Sequence, residues 1–66
     1  MGYKVKEARE TKGITQQELA ERSGISRTII AGLESGAIEN TTVATLSSLA
    51  RALGVSVMDI FFADVV

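Results

Sequence analysis

Arg27 and Thr28 open the run "RTIIAGLES" (27–35), in which the residues able to do chemistry fall on one side of a helix. At 3.6 residues per turn, Ile30 and Leu33 share one face. Thr28, Ala31, Gly32 and Ser35 lie near the other, with Arg27 on its flank. A guanidinium fork in a first helical turn can donate to O6 and N7 of a guanine. A threonine beside it can bond a phosphate or touch a thymine methyl. An ordinary solvated face would carry Glu and Lys, and Gly32 costs about 1 kcal/mol relative to Ala inside a helix. The pattern therefore implies close approach by a nucleic acid or by another helix, since Thr28/Gly32 and Ala31/Ser35 are small pairs at i and i+4.

Other chemistries find little support. The chain has no Cys and no His, which removes disulfides, zinc sites, thiol nucleophiles and the commonest general base. The carboxylate pairs Glu18/Glu21 and Asp59/Asp64 are better explained as helix caps and solvated faces than as catalytic acids. The reading is a non-enzymatic chain with no cofactor and no metal. Its 66 residues form one domain, 1–66, of a size that buries only about 60% of its unfolded surface. A large pocket, and with it a small-molecule ligand, is not expected, and dimerisation is a natural source of extra burial. No apolar run approaches the roughly 20 residues that span a bilayer, and no basic-then-apolar leader opens the chain, so the expectation is a cytoplasmic protein without a membrane partner.

A net charge of −1 argues mildly against a nucleic-acid partner, but the distribution is uneven. Residues 1–33 carry six basic and four acidic side chains, whereas residues 34–66 carry one and four. Such asymmetry permits a DNA-facing front and a different back.

Five short helices are needed to position the 27–35 face, and the fold class is all-α. The first covers about Tyr3 to Lys12, ended by Gly13, with Val5 and Ala8 inward. "TQQE" (15–18) is a capping box that starts a second helix running to about Arg22, with Leu19 and Ala20 as core residues. In "SGIS" (23–26), Gly24 supplies the turn and Ser26 caps the third helix, which ends near Ser35 before Gly36. Thr41 or Thr42 caps a fourth helix with Val43, Leu46, Leu49, Ala50 and Leu53 at helical spacing. "SVMD" (56–59) starts a fifth, ending about Phe61. The tail beyond it is apolar enough that Phe62, Val65 and Val66 suggest a partner surface, a frayed end or a short strand against residues 1–5.

Two short helices joined by a turn of about three residues match a helix-turn-helix: Ala20 in the first, Gly24 in the turn, Ile25 after it and Ile30 in the second. Ala20 must be small where the helices cross, while Leu19, Ile25, Ile30 and Leu33 fill the wedge. The segment "TQQELAERSGISRTIIAGLESG", with "RETKG" before it and "LARALGV" after it, resembles the Cro/repressor-type helix-turn-helix family of five-helix DNA-binding regulators, over about residues 3–61. "SRTIIAGLESG" and "DIFF" are similar to the corresponding segments of restriction–modification controller proteins. Phage-type repressors and antitoxins use closely similar domains. The family's usual proline after the third helix is missing, Asn40 stands near its place, and the spacing from Glu34 to Leu46 is one residue longer than usual.

The resemblance implies a homodimeric transcriptional regulator that lays the third helix of each subunit into the major groove of double-stranded DNA. Arg27 and Thr28 then face bases or phosphates, Ala31 and Gly32 give clearance, and Ser26 and Thr41 complete the DNA-facing set. Gln16, at a helix N-terminus that favours phosphate, and its neighbour Gln17 join them. Ile29 is expected at the core edge. Arg9 and Glu34 match a family pair that ties the first helix to the third. Dimerisation is expected at the back, through the fourth and fifth helices and Ile60, Phe61 and Phe62. The reading from another class is an interaction adaptor, or an antitoxin-type module, that offers the same fold to a partner protein.

Overall fold

Hydroxyl side chains start four of the five described helices, and left-handed glycines end the first four. The computed structural model of the chain describes residues 3–61. It contains α1 (Val5–Lys12), α2 (Gln16–Ser23), α3 (Arg27–Ser35), α4 (Val43–Leu53) and α5 (Val57–Phe61), with no strand among the described residues. At α2 the Thr15 hydroxyl accepts from the Glu18 amide at 3.0 Å, and the Thr15 amide donates to Glu18 Oε1 at 2.8 Å. That backbone bond holds the Glu18 carboxyl below its ordinary pKa. Ser56 and Asp59 make the same exchange at α5, at 2.9 and 3.3 Å. Of the two candidate caps for α4, Thr42 serves: its hydroxyl accepts from the Thr45 amide at 3.1 Å.

α1 starts two residues later than its periodicity suggests. Lys4, at its cap position, makes no side-chain capping bond. Tyr3 stands outside the helix and stacks on Phe61, with ring centroids 6.3 Å apart. The Lys4 amide donates to the Ile60 carbonyl at 3.0 Å, so the start of α1 is fastened to α5.

The core is the periodic apolar set. Val5, Leu19, Ile30, Leu33, Leu49 and Ile60 are wholly buried, joined by Ile14, Leu46, Ala50 and Leu53. α2 packs on α3 and α4, and α1 closes against α3, α4 and α5. Two expectations need correction. Val43 has the spacing of a core residue but is 71% exposed, because the buried stripe of α4 begins only at Leu46. Ile60, expected at a dimer surface, has no exposed area and belongs to the chain's own core. Phe62, Val65 and Val66 lie outside the described residues. No helix among the described residues is long and apolar enough to cross a membrane.

Candidate nucleic-acid interface

The crossing of α2 and α3 sets where the 27–35 face points. Gly24, at φ 75°, takes the left-handed conformation that a side chain would oppose, and its amide closes α2 on the Ala20 carbonyl at 2.9 Å. The chain then reverses, and Ser26 opens α3 by accepting from the Ile29 amide at 3.2 Å. Ile30 and Leu33 drop into the core, which leaves Arg27, Thr28 and Ser35 exposed and Ala31 half-buried. Among the described residues Arg27 has neither an ion-pair partner nor a side-chain hydrogen bond. Its donors are available to an external acceptor.

The inner edge of the same helix is fully engaged. Arg9 donates from Nε to Glu34 Oε2 at 2.7 Å and from Nη2 to Glu34 Oε1 at 3.0 Å. Its Nη1 donates to the Ile14 carbonyl at 2.9 Å. Gln16 Nε2 donates to Glu34 Oε1 at 3.0 Å, so one carboxylate ties α1, α2 and α3 together. The Glu34 side chain is only 4% exposed. Burial works to raise its pKa, but the hydrogen bonds from Arg9 and Gln16 and the positive charges of Arg9 and Lys6 together hold it below the ordinary carboxylate range. The Glu34 hydrogen bond in turn raises the Arg9 pKa, against the opposing effect of its own burial.

Several expected site residues are therefore partly committed within the chain. Gln16 spends one amide hydrogen on Glu34 and keeps the rest of its amide at the first turn of α2. Gln17 reaches Glu21 at 3.4 Å on the exposed surface. The Ser26 hydroxyl oxygen serves as a cap. Thr41 is half-buried in the loop, and Phe61 is half-buried against Tyr3.

Gly32 calls for a different account. A Cβ built there would lie 2.5 Å from Cδ1 and 2.6 Å from Cγ1 of Ile38. The notch is filled by the protein's own loop, whose Ile38 amide donates to the Gly32 carbonyl at 3.0 Å. Gly32 therefore admits Ile38 rather than clearing space for a ligand. Ile29 is 37% exposed, further out than a core-edge position implies. Sequence reasoning passed over Ile38 and Tyr3; the available signal for Ile38 was a single large aliphatic residue in the otherwise small and polar stretch 35–42.

No group of His, Cys, Asp and Glu among the described residues could hold a metal ion. The sequence model of the helix-turn-helix family matches residues 5–60, which takes in all the helices that build this crossing. The chain belongs to the helix-turn-helix family. This helix-turn-helix chain is 52% identical over 48 residues to the HTH-type transcriptional regulator y4dJ of Sinorhizobium fredii, a match spanning 73% of the chain and 61% of that relative. It is 41% identical over 61 residues to an HTH-type transcriptional regulator of Methanothermobacter thermautotrophicus, covering 91% of the chain and 87% of the relative. Its backbone is similar to the crystal structure of the restriction-modification controller protein C.AhdI from Aeromonas hydrophila. That match has a TM-score of 0.79 and 32% sequence identity, and covers 85% of this chain and 83% of the other.

Proposed function

We propose that this helix-turn-helix protein is a DNA-binding transcriptional regulator that acts in the cytoplasm as a homodimer and places α3 in the major groove. The observation that carries the reading is the first turn of α3. Arg27 and Thr28 stand exposed there without an ion pair among the described residues, on a helix whose opposite edge is fixed by Arg9, Gln16 and Glu34. A fixed backbone with uncommitted donors at its leading end is what base-edge readout requires. The family membership and the names of the relatives support the same reading.

Arg27 is assigned to a guanine edge or its phosphate, Thr28 to a thymine methyl or phosphate, and Ala31 to the groove floor. Gln16, Gln17, Ser26 and Thr41 are assigned to the flanking phosphates. Two copies would meet half-sites about 34 Å apart on one side of the duplex. The dimer face is assigned to α5, where Met58 is 68% exposed beside the half-buried Phe61. Filling of the Gly32 notch by Ile38 counts against the adaptor reading, because the small pair Thr28/Gly32 is no longer open to a partner helix.

Selection from a random duplex pool, followed by titration at two salt concentrations, tests the proposal. The expected result is an enriched sequence of two-fold symmetry whose affinity falls steeply with salt, the slope reporting the phosphates neutralised. Absence of duplex binding at low salt would overturn it.

A further inference from the structure

The loop 36–42 follows α3 directly, and its course depends on a residue far away in sequence. At its start, the Ile38 side chain sits over Gly32 and the Ile38 amide bonds the Gly32 carbonyl. At its end, Thr42 caps α4. Both anchors are local. Between them the Tyr3 hydroxyl donates to the Glu39 carbonyl at 2.8 Å, a contact across 36 positions of sequence. Tyr3 is itself held from behind, by its ring on Phe61 and by the adjacent Lys4–Ile60 backbone bond.

That bond has a geometric consequence for the next residue. The peptide joining Glu39 and Asn40 is trans, since the described chain has no cis bonds, so its C=O and N–H point in opposite directions. Drawing the Glu39 carbonyl onto Tyr3 turns the Asn40 N–H away from Tyr3. Asn40 is exposed, and its amide takes no partner among the described residues. The loop has no proline to fix this peptide plane.

We infer that Tyr3 is a positioning residue for DNA binding, its hydroxyl orienting the 39–40 peptide so that the Asn40 amide donates to a backbone phosphate beside the groove that α3 enters. The inference rests on the DNA-binding reading proposed above. A neutral amide releases no counterion of its own and reads no base, so its loss weakens all sequences alike and leaves the salt slope unchanged.

The test compares wild type with Tyr3→Phe, which keeps the ring on Phe61 and removes only the hydroxyl. The probes are the duplex selected by the wild type and a scrambled duplex of equal length, each titrated at two salt concentrations. Tyr3→Phe is expected to bind both duplexes about fivefold more weakly per bound subunit, the effect of one net hydrogen bond, at unchanged salt slope. Hydrogen exchange at the Ile38 amide, which is bonded to the Gly32 carbonyl, compared with that of the Leu49 amide inside α4, reports the freed loop against the intact core. Equal binding by the two chains, or a loss confined to the selected sequence, overturns the inference and leaves the DNA reading standing. Failure of the wild type to bind any duplex overturns both.

Discussion

The two sides of α3 differ in how much of their bonding capacity the protein has already used. On the inner side Ile30 and Leu33 have no exposed area, and the Glu34 carboxylate meets Arg9 through both oxygens and Gln16 through one. On the outer side Arg27, Thr28 and Ser35 are exposed, and the Arg27 fork is unclaimed among the described residues. Burial of a single Ile or Leu contributes about 1.5–3 kcal/mol, a large share of what a domain this small can muster. On the proposed DNA-binding reading, stability and recognition are divided around the circumference of one nine-residue helix. Substitutions should reveal a gradient, from changes that cost folding to changes that cost only binding.

The largest effect is expected at Glu34. Glu34→Ala strands the Arg9 guanidinium and one Gln16 amide hydrogen, and should cost about 2–3 kcal/mol by urea denaturation. Glu34→Gln isolates the charge. Because the folded-state pKa of Glu34 is depressed, its ionic contribution is fully present above the unfolded value, about 4.3, and is lost as pH falls through the lower folded value. The stability gap between wild type and Glu34→Gln should therefore be constant near neutrality and shrink as pH drops below about 4. A gap that stays constant down to pH 2 would mean that the pair contributes through its shape alone.

An intermediate effect is expected at Gly32, on the boundary between the two sides. Alanine raises helix propensity by about 1 kcal/mol, but its Cβ meets Ile38 at 2.5 Å, and overpacking of that kind costs about 1–3 kcal/mol. Gly32→Ala should be destabilising by about 1 kcal/mol in the native chain. In an Ile38→Ala background the clash is gone, and the same substitution should stabilise. Thermal unfolding of the four chains forms a double-mutant cycle, and the reversal of sign is its diagnostic.

This boundary also marks how far the sequence could be read. The caps at Thr15, Ser26 and Ser56 were legible because a hydroxyl followed three residues later by an amide, and at Thr15 and Ser56 also a carboxylate, is a local device. The buried faces of α2 and α3 were legible from periodicity. Periodicity says which residues share a side, but not which loop folds over that side, so Gly32 looked like an open notch until Ile38 filled it. Val43 kept the core spacing although the buried stripe of α4 begins only at Leu46, and five residues of α5 are too few for a period to separate Ile60 from its exposed neighbours. Contacts across long stretches of sequence carry no local signal at all. The Arg9–Glu34 pairing was anticipated only through family resemblance, and Tyr3–Glu39 was not anticipated.

The smallest effect on folding is expected at Arg27, where the effect on binding should be greatest. Its side chain makes no ion pair or side-chain hydrogen bond among the described residues, so Arg27→Ala breaks no native polar contact and exchanges one good helix former for another. Unfolding free energy should change by less than about 0.5 kcal/mol. Binding to the selected duplex should weaken by about 1–3 kcal/mol if the fork takes a guanine edge, with a smaller loss on a scrambled duplex. A phosphate contact would instead weaken both duplexes equally and lower the salt slope by about one. The ratio of the two losses therefore decides which acceptor Arg27 meets. A loss of stability at this position comparable to that at Glu34 would erase the distinction between the two sides of α3, and with it the reason for assigning recognition to the outer one.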